Sequence, residues 1–378
     1  MKKVTSGVLT AIIFLTLFIP LGAYAAPDNK ANAVILMQAD TGQILYSKNG
    51  DSQMLIASTT KIMTALVVLD NCDPDEQVKI LPEYAKVEGS SMYLKSGESY
   101  TVRDLLYGML LASGNDAATA LACHCGGSIE GFAEMMNEKA SEMGLTNSSF
   151  KNPHGLDADG HYSSAEDLAT ITCEAMKSEL FAKIVSTKTY TVGEQTYMNH
   201  NKLLWNYEGC LGVKTGYTIA AGRSLVSCAE RNGLRLICVT LSDPDDWNDH
   251  KQLYDWAFSN YDYKRILPMG VICELPVISG AKESVSISAA EDSRILVEKN
   301  ANISFSLELP KFVYAGIKAG ECAGRAFVKQ NETVIAEYPL NYAESVELAD
   351  NAKLSAWGRI KRAWFIANKY GFVFEGAD

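Results

Sequence analysis

Three short strings set far apart narrow what this chain can fold into: Ser58-Thr59-Thr60-Lys61, Ser113-Gly114-Asn115 and Lys214-Thr215-Gly216. Singly, each has an ordinary explanation. Ser58 would cap a helix, Ser113-Gly114-Asn115 would make a turn, and Lys214 would be a solvated strand residue. Jointly, in this order, they supply a serine acyl-transfer site that uses lysine as its base. With Ser58 at the start of a helix, Lys61 lies one turn on and on the same face. A free lysine, with a pKa of about 10.4, is a poor base at neutral pH. Burial and a second cation would lower that value, so the amine could take the serine proton. Lys214 is expected to be that cation, which divides the roles: Lys61 as base, Lys214 as charge. Ser113 would pass a proton between Lys61 and the departing amine, and Asn115 would bind substrate backbone or hold Lys61. Lys214 and Thr215 suit a terminal carboxylate, and Gly216 lets a substrate lie close to the strand edge. The N–H groups of Ser58 and Tyr217 would form an oxyanion hole, each donor contributing about 2.7–4 kcal/mol to barrier lowering.

The first 25 residues predict a signal peptide. Lys2 and Lys3 precede an apolar run from Val8 to Leu21, and Ala23-Tyr24-Ala25 offers a small-x-small cleavage pattern. The run is short for a membrane span. The remainder, starting near Ala26, exceeds one ordinary domain. A net charge of −11 argues against a nucleic-acid partner. Nine cysteines is an odd number for an exported chain, so at least one stays unpaired. Cys228 and Cys238 sit in apolar runs, as inert buried thiols do. Cys123-His124-Cys125 falls in an alanine-rich helical stretch, where successive side chains diverge by about 100°, and no metal is expected there.

Periodicity organises the rest. Residues 32–50 predict a hairpin turning at Asp40-Thr41-Gly42. Helices are expected at Ile62–Leu69, Val102–Ala112, Asn115–Cys125 and Gln252–Tyr261. Strands at Ser224–Ala229 and Leu234–Leu241 are joined by Asn232-Gly233, a strong hairpin turn. Beyond about residue 272 short alternating stretches, among them Ile303, Phe305, Leu307 and Leu309, predict a small all-β module with one buried face. Leu354 to Phe374 then interleaves Trp357, Ile360, Trp364 and Phe365 with Arg359, Arg362 and Lys369. That pattern predicts an amphipathic helix lying in a membrane interface.

On these motifs the chain resembles the low-molecular-mass penicillin-binding proteins, the serine-type D-Ala-D-Ala carboxypeptidases. Further stretches similar to that family are Ser90-Ser91-Met92-Tyr93-Leu94-Lys95, Asp104-Leu105-Leu106-Tyr107-Gly108, Asn152-Pro153-His154-Gly155-Leu156 and Gly212-Val213-Lys214-Thr215-Gly216-Tyr217-Thr218. The resemblance implies an α/β (α+β) catalytic domain of the serine β-lactamase/transpeptidase type over 26–270. A small β-rich domain over 271–347 and a membrane-anchoring helix over 348–378 would follow. It implies removal of the last D-alanine from peptidoglycan stem pentapeptides through an acyl-enzyme on Ser58, with β-lactam antibiotics acylating the same serine. No cofactor is implied, and the location is the outer face of the cytoplasmic membrane. His154 is expected to serve the turn, not the chemistry. Some relatives carry a carboxylate-binding arginine where this chain reads Asp243-Pro244-Asp245-Asp246-Trp247-Asn248-Asp249-His250, which leaves Lys214 and Thr215 to act alone. A β-lactamase is disfavoured because no Glu-Pro-x-Leu-Asn-like segment lies between Asn115 and Lys214. A non-catalytic scaffold is disfavoured because all three motifs are intact. Lys214-Thr215-Gly216 argues against an esterase or aminopeptidase acting on substrates without a free carboxylate.

Overall fold

The computed structural model describes residues 25–267, 269–290 and 293–349, together with Trp357, Ile360 and Trp364. The expected signal peptide, apart from Ala25, lies outside the described residues. So does most of the expected amphipathic helix, of which Trp357, Ile360 and Trp364 are helical and exposed. No helix among the described residues is long and apolar enough to cross a membrane.

Residues 25–261 form one compact unit. Strands β1 (Ala33–Gln38) and β2 (Ile44–Lys48) make the expected hairpin. Helix α1 (Lys61–Asn71) follows a short 3-10 turn, Ala57–Thr60. A two-stranded ribbon of β3 (Gln77–Lys79) and β4 (Ser99–Thr101) leads into α2 (Val102–Leu111) and α3 (Asn115–Gly126). Thr101 caps α2 by accepting the Asp104 N–H at 3.0 Å. Serines cap the next three helices, α4 (Ile129–Glu142), α5 (Ala165–Ala175) and α6 (Glu179–Ser186). A small hairpin, β5 (Thr189–Val192) with β6 (Gln195–Met198), precedes the short α7 (Leu203–Asn206).

Strands β7 (Cys210–Thr218), β8 (Gly222–Arg231) and β9 (Leu234–Leu241) complete an antiparallel five-stranded sheet ordered β2-β1-β9-β8-β7. The β8–β9 turn places Asn232 and Gly233 at φ of 52° and 79°, as an Asn-Gly hairpin turn requires. Ile35, Met37, Val226, Ile237 and Val239 join one large core with α1 through α5. Helix α8 (Asp246–Asn260) packs on β8 and β9. It starts earlier than apolar periodicity predicts, because its polar first turns are buried by partners distant in sequence. Asp246 binds Arg223, Asp249 accepts the Lys30 N–H, and His250 bridges Ser227 and Thr240.

The second unit begins at Asp262, where α8 runs directly into β10 (Tyr261–Leu267) without a turn, earlier than the composition change suggests. It is all-β. Its further strands are β11 (Gly270–Ile278), β12 (Ser284–Ala289), β13 (Ser293–Glu298), β14 (Ile303–Glu308), β15 (Val313–Tyr314), β16 (Cys322–Gln330) and β17 (Thr333–Tyr342). Six of them form a sheet ordered β14-β16-β17-β12-β11-β15, and β10 pairs with β13. Val277, Val285, Ile287 and Leu340 are fully buried at its centre. One expectation fails. Phe305 and Leu307 do not belong to the buried face: β14 is an edge strand, and these side chains are 66% and 37% exposed.

Candidate active site

The three strings converge at the N-terminal ends of α1 and α3 and along β7. Ser58 sits in the 3-10 turn, half-buried, directly after Ala57, whose φ of +48° is rare for a residue with a side chain. The Asn152–Leu156 turn supports it from behind. Asn152 Oδ1 accepts the Gly155 N–H at 2.7 Å, while its amide donates to Leu156 O. Gly155 has φ +86°, and a Cβ there would stand 1.9 Å from Ala57 O, so only glycine fits against the Ala57–Thr60 turn. Thr64 donates to Pro153 O at 2.6 Å, binding α1 to the same turn. His161 accepts the Lys151 N–H at Nδ1, so Nε2 carries the proton and donates to Thr60 Oγ1 at 2.9 Å.

Lys61 is completely buried. Its Nζ lies 3.0 Å from Ser58 Oγ, 2.7 Å from Asn115 Oδ1 and 2.7 Å from the His154 carbonyl oxygen. Burial pushes its pKa well below the ordinary lysine value, and the nearby Lys214 charge pushes it further, against a smaller opposing pull from Asp116. The two carbonyl oxygens can only accept. In the neutral amine they claim both N–H groups, and the lone pair is left facing the serine hydroxyl. Lys214 is also buried, which lowers its pKa to about 7, and its Nζ donates to Thr215 O at 2.9 Å.

Ser113 is buried with φ +60°. Asn115 holds Lys61 through its oxygen and donates from its nitrogen to Glu88 O at 2.6 Å. β7 is the sheet edge, with β8 on one side only. Within it Thr215 is half-buried and Tyr217 is 65% exposed. Gly216 packs on the turn that carries Ser58: a Cβ would come within 3.1 Å of Ile56 O and 3.2 Å of Ser58 N. The cross-strand partner of Tyr217 is Arg223, clamped by Asp246 through Nε and Nη2.

Two contributors escape a motif search. The His154 carbonyl is a backbone atom, so its role does not depend on side-chain type; the His154 ring, its pKa lowered to about 3 chiefly by burial, stays neutral. Asp116 accepts from Met92 N–H at 2.8 Å, Leu94 N–H at 3.1 Å and Ser91 Oγ at 2.7 Å. It thereby pins the loop whose Ser90 carbonyl receives the Asn115 N–H.

Residues 22–245 match the family model described as D-alanyl-D-alanine carboxypeptidase. Residues 261–348 match that of the penicillin-binding protein 5 C-terminal domain. The D-alanyl-D-alanine carboxypeptidase DacF of Bacillus subtilis is 34% identical over 377 residues, covering 92% of this chain and 96% of its own. Penicillin-binding protein 5 from Haemophilus influenzae superposes with a TM-score of 0.75 at 32% identity, over 86% of this chain and all of that one. A mutant of the Streptomyces K15 DD-transpeptidase superposes with a TM-score of 0.60 at 35% identity, over 62% of this chain and 99% of that one. The first family match alone spans more than half of the sequence, and it contains the Ser58–Lys61 pair, 3.0 Å apart. The chain belongs to the D-alanyl-D-alanine carboxypeptidase family of serine peptidases.

Proposed function

We propose that the protein removes the terminal D-alanine from peptidoglycan stem pentapeptides through an acyl-enzyme on Ser58, and that β-lactams acylate the same serine. The observation that carries this reading is the buried Lys61 amine, 3.0 Å from Ser58 Oγ and oriented by two acceptors. Neutral Lys61 takes the Ser58 proton as the hydroxyl attacks the carbonyl of the penultimate residue. The N–H groups of Ser58 and Tyr217 receive the developing oxyanion. Ser113 relays the proton to the leaving amine. Lys214, with Thr215, holds the substrate carboxylate, and the incoming negative charge keeps Lys214 protonated. Water then hydrolyses the acyl-enzyme, with Lys61 again as base. The open edge of β7 suits an extended peptide. The family acts outside the cytoplasm, and the Leu354–Phe374 pattern supports attachment to the outer face of the cytoplasmic membrane.

D-alanine release from a synthetic stem pentapeptide, compared with the Ser58→Ala protein, tests this. Release by the parent and none by the variant is expected, with a penicillin adduct on the parent alone by mass spectrometry. A parent that takes up penicillin yet releases no D-alanine would overturn the substrate assignment. Equal release by both proteins would overturn Ser58.

A further inference from the structure

The segment that begins at Asn152 reaches more of the site than the base. Its His154 carbonyl accepts from Lys61 Nζ at 2.7 Å, and its Gly155 packs against Ala57, just ahead of Ser58. Two residues further on, Asp157 reaches β7: its Oδ1 accepts the Thr218 hydroxyl at 3.0 Å, across 61 positions of sequence. Thr218 ends β7, and its hydroxyl oxygen also accepts the Ala221 N–H at 3.0 Å, in the turn that leads into β8. β7 is a sheet edge that pairs with β8 alone, Tyr217 opposite Arg223 and Thr218 opposite Gly222. Tyr217 and Ile219, on either side of Thr218, are exposed, so apolar packing does not hold the strand end.

We propose that Asp157 is a positioning residue: through Thr218 it fixes the end of β7, and with it the Tyr217 N–H, relative to Ser58. The inference rests on the acyl-enzyme reading above. The two oxyanion donors, Ser58 N–H and Tyr217 N–H, belong to separate elements, yet both must come within about 2.7–3.1 Å of one developing oxyanion. Tyr217 lies between two fixed points. On one side Gly216 packs on the Ser58 turn, and on the other Thr218 is tied to Asp157. With the second point lost, the strand end pivots about Gly216 and the Tyr217 donor moves off its target. The cost falls on the rate more than on affinity, because Lys214 and Thr215 still hold the substrate carboxylate. The tie needs an acceptor at position 157, not a charge, so an amide oxygen serves as well as a carboxylate.

The test follows penicillin acylation of Ser58 by rapid quench and mass spectrometry in the full chain. It compares the parent with Asp157→Ala, Asp157→Asn, Thr218→Val and the Asp157→Ala/Thr218→Val double variant. Asp157→Ala and Thr218→Val should each lower the limiting acylation rate about tenfold, with little change in the half-saturating penicillin concentration. The double variant should be no slower than Thr218→Val, because both changes remove the same bond. Asp157→Asn should recover most of the rate. The rising limb of the pH–rate profile, which follows Lys61, should stay in place in Asp157→Ala; a general loosening of the 152–157 segment would shift it through the His154 carbonyl. Hydrogen exchange at the Ala221 amide, which needs no turnover, should quicken in Asp157→Ala. A parent that penicillin does not acylate would overturn the acyl-enzyme reading and the role built on it. A parent that is acylated, beside an Asp157→Ala protein of equal rate, would overturn the role of Asp157 alone. So would additive losses in the double variant, a displaced rising limb, or unchanged exchange at Ala221.

Discussion

Lys61 and Lys214 are both buried cations, yet their surroundings give them opposite tasks. Lys61 has two carbonyl acceptors, the Ser58 hydroxyl and a like charge nearby, and in the proposed reaction it works when it has lost its proton. Lys214 donates to one backbone carbonyl, and in the proposed reaction it works when charged. The rate of penicillin acylation per enzyme and ligand concentration should therefore climb with pH through the depressed Lys61 value. It should fall again above about 7, where free Lys214 turns neutral. Lys214→Arg keeps its charge at all these pH values and should move the falling limb upward. A pH–rate profile of parent and variant checks the assignment; a falling limb that stays put would show that another group controls it.

Elements with a clean period are legible in the sequence. The β1–β2 hairpin, α1 to α3 and the β8–β9 hairpin all stand where apolar spacing and turn residues put them. The exceptions have physical causes. α8 hides its first turn behind acidic residues whose partners, Arg223 and Lys30, lie far away in sequence. β14 carries an alternating apolar pattern but occupies an edge, so alternation there does not produce burial. In the site, motif spacing names Ser58, Lys61 and Asn115, which the structure brings within hydrogen-bond distance, whereas the His154 carbonyl and the loop-pinning Asp116 appear only when the backbone is traced. Asp116→Ala should release the 90–95 loop while leaving the sheet intact. Hydrogen exchange at the Met92 and Leu94 amides should quicken well before that at β8 amides, with a stability loss of about 2–4 kcal/mol. Unchanged exchange at Met92 and Leu94 would show that the loop is held by other means.

At the scale of the whole molecule, the unit of residues 25–261 keeps three histidines buried and neutral. His154 and His250 are lowered to about 3 and His161 to about 4, each chiefly by burial. The unfolded chain binds these protons near pH 6.5, and the folded chain binds them only below about 4. Unfolding thus takes up protons between those limits: stability is full above about 6.5 and drains as the pH falls toward 4. Each histidine contributes a slope of about 1.4 kcal/mol per pH unit within that window. Urea titrations from pH 7 to 4 should show a steep loss, shallower in His250→Gln. A flat profile would mean that the imidazoles reach water in the native state.

The glycines packed on the Ser58 turn have a bearing on heredity. Gly155 and Gly216 carry no side chain, yet a single methyl at Gly155 would collide with the carbonyl just ahead of Ser58, and one at Gly216 would crowd the serine's own amide. In a screen for bacteria that have lost this enzyme, changes at such silent-looking positions should recur beside those at Ser58 and Lys61. The products would fill the cell envelope at ordinary abundance and bind antibiotic poorly. Drug tolerance acquired in that way would leave every catalytic side chain in the gene unaltered.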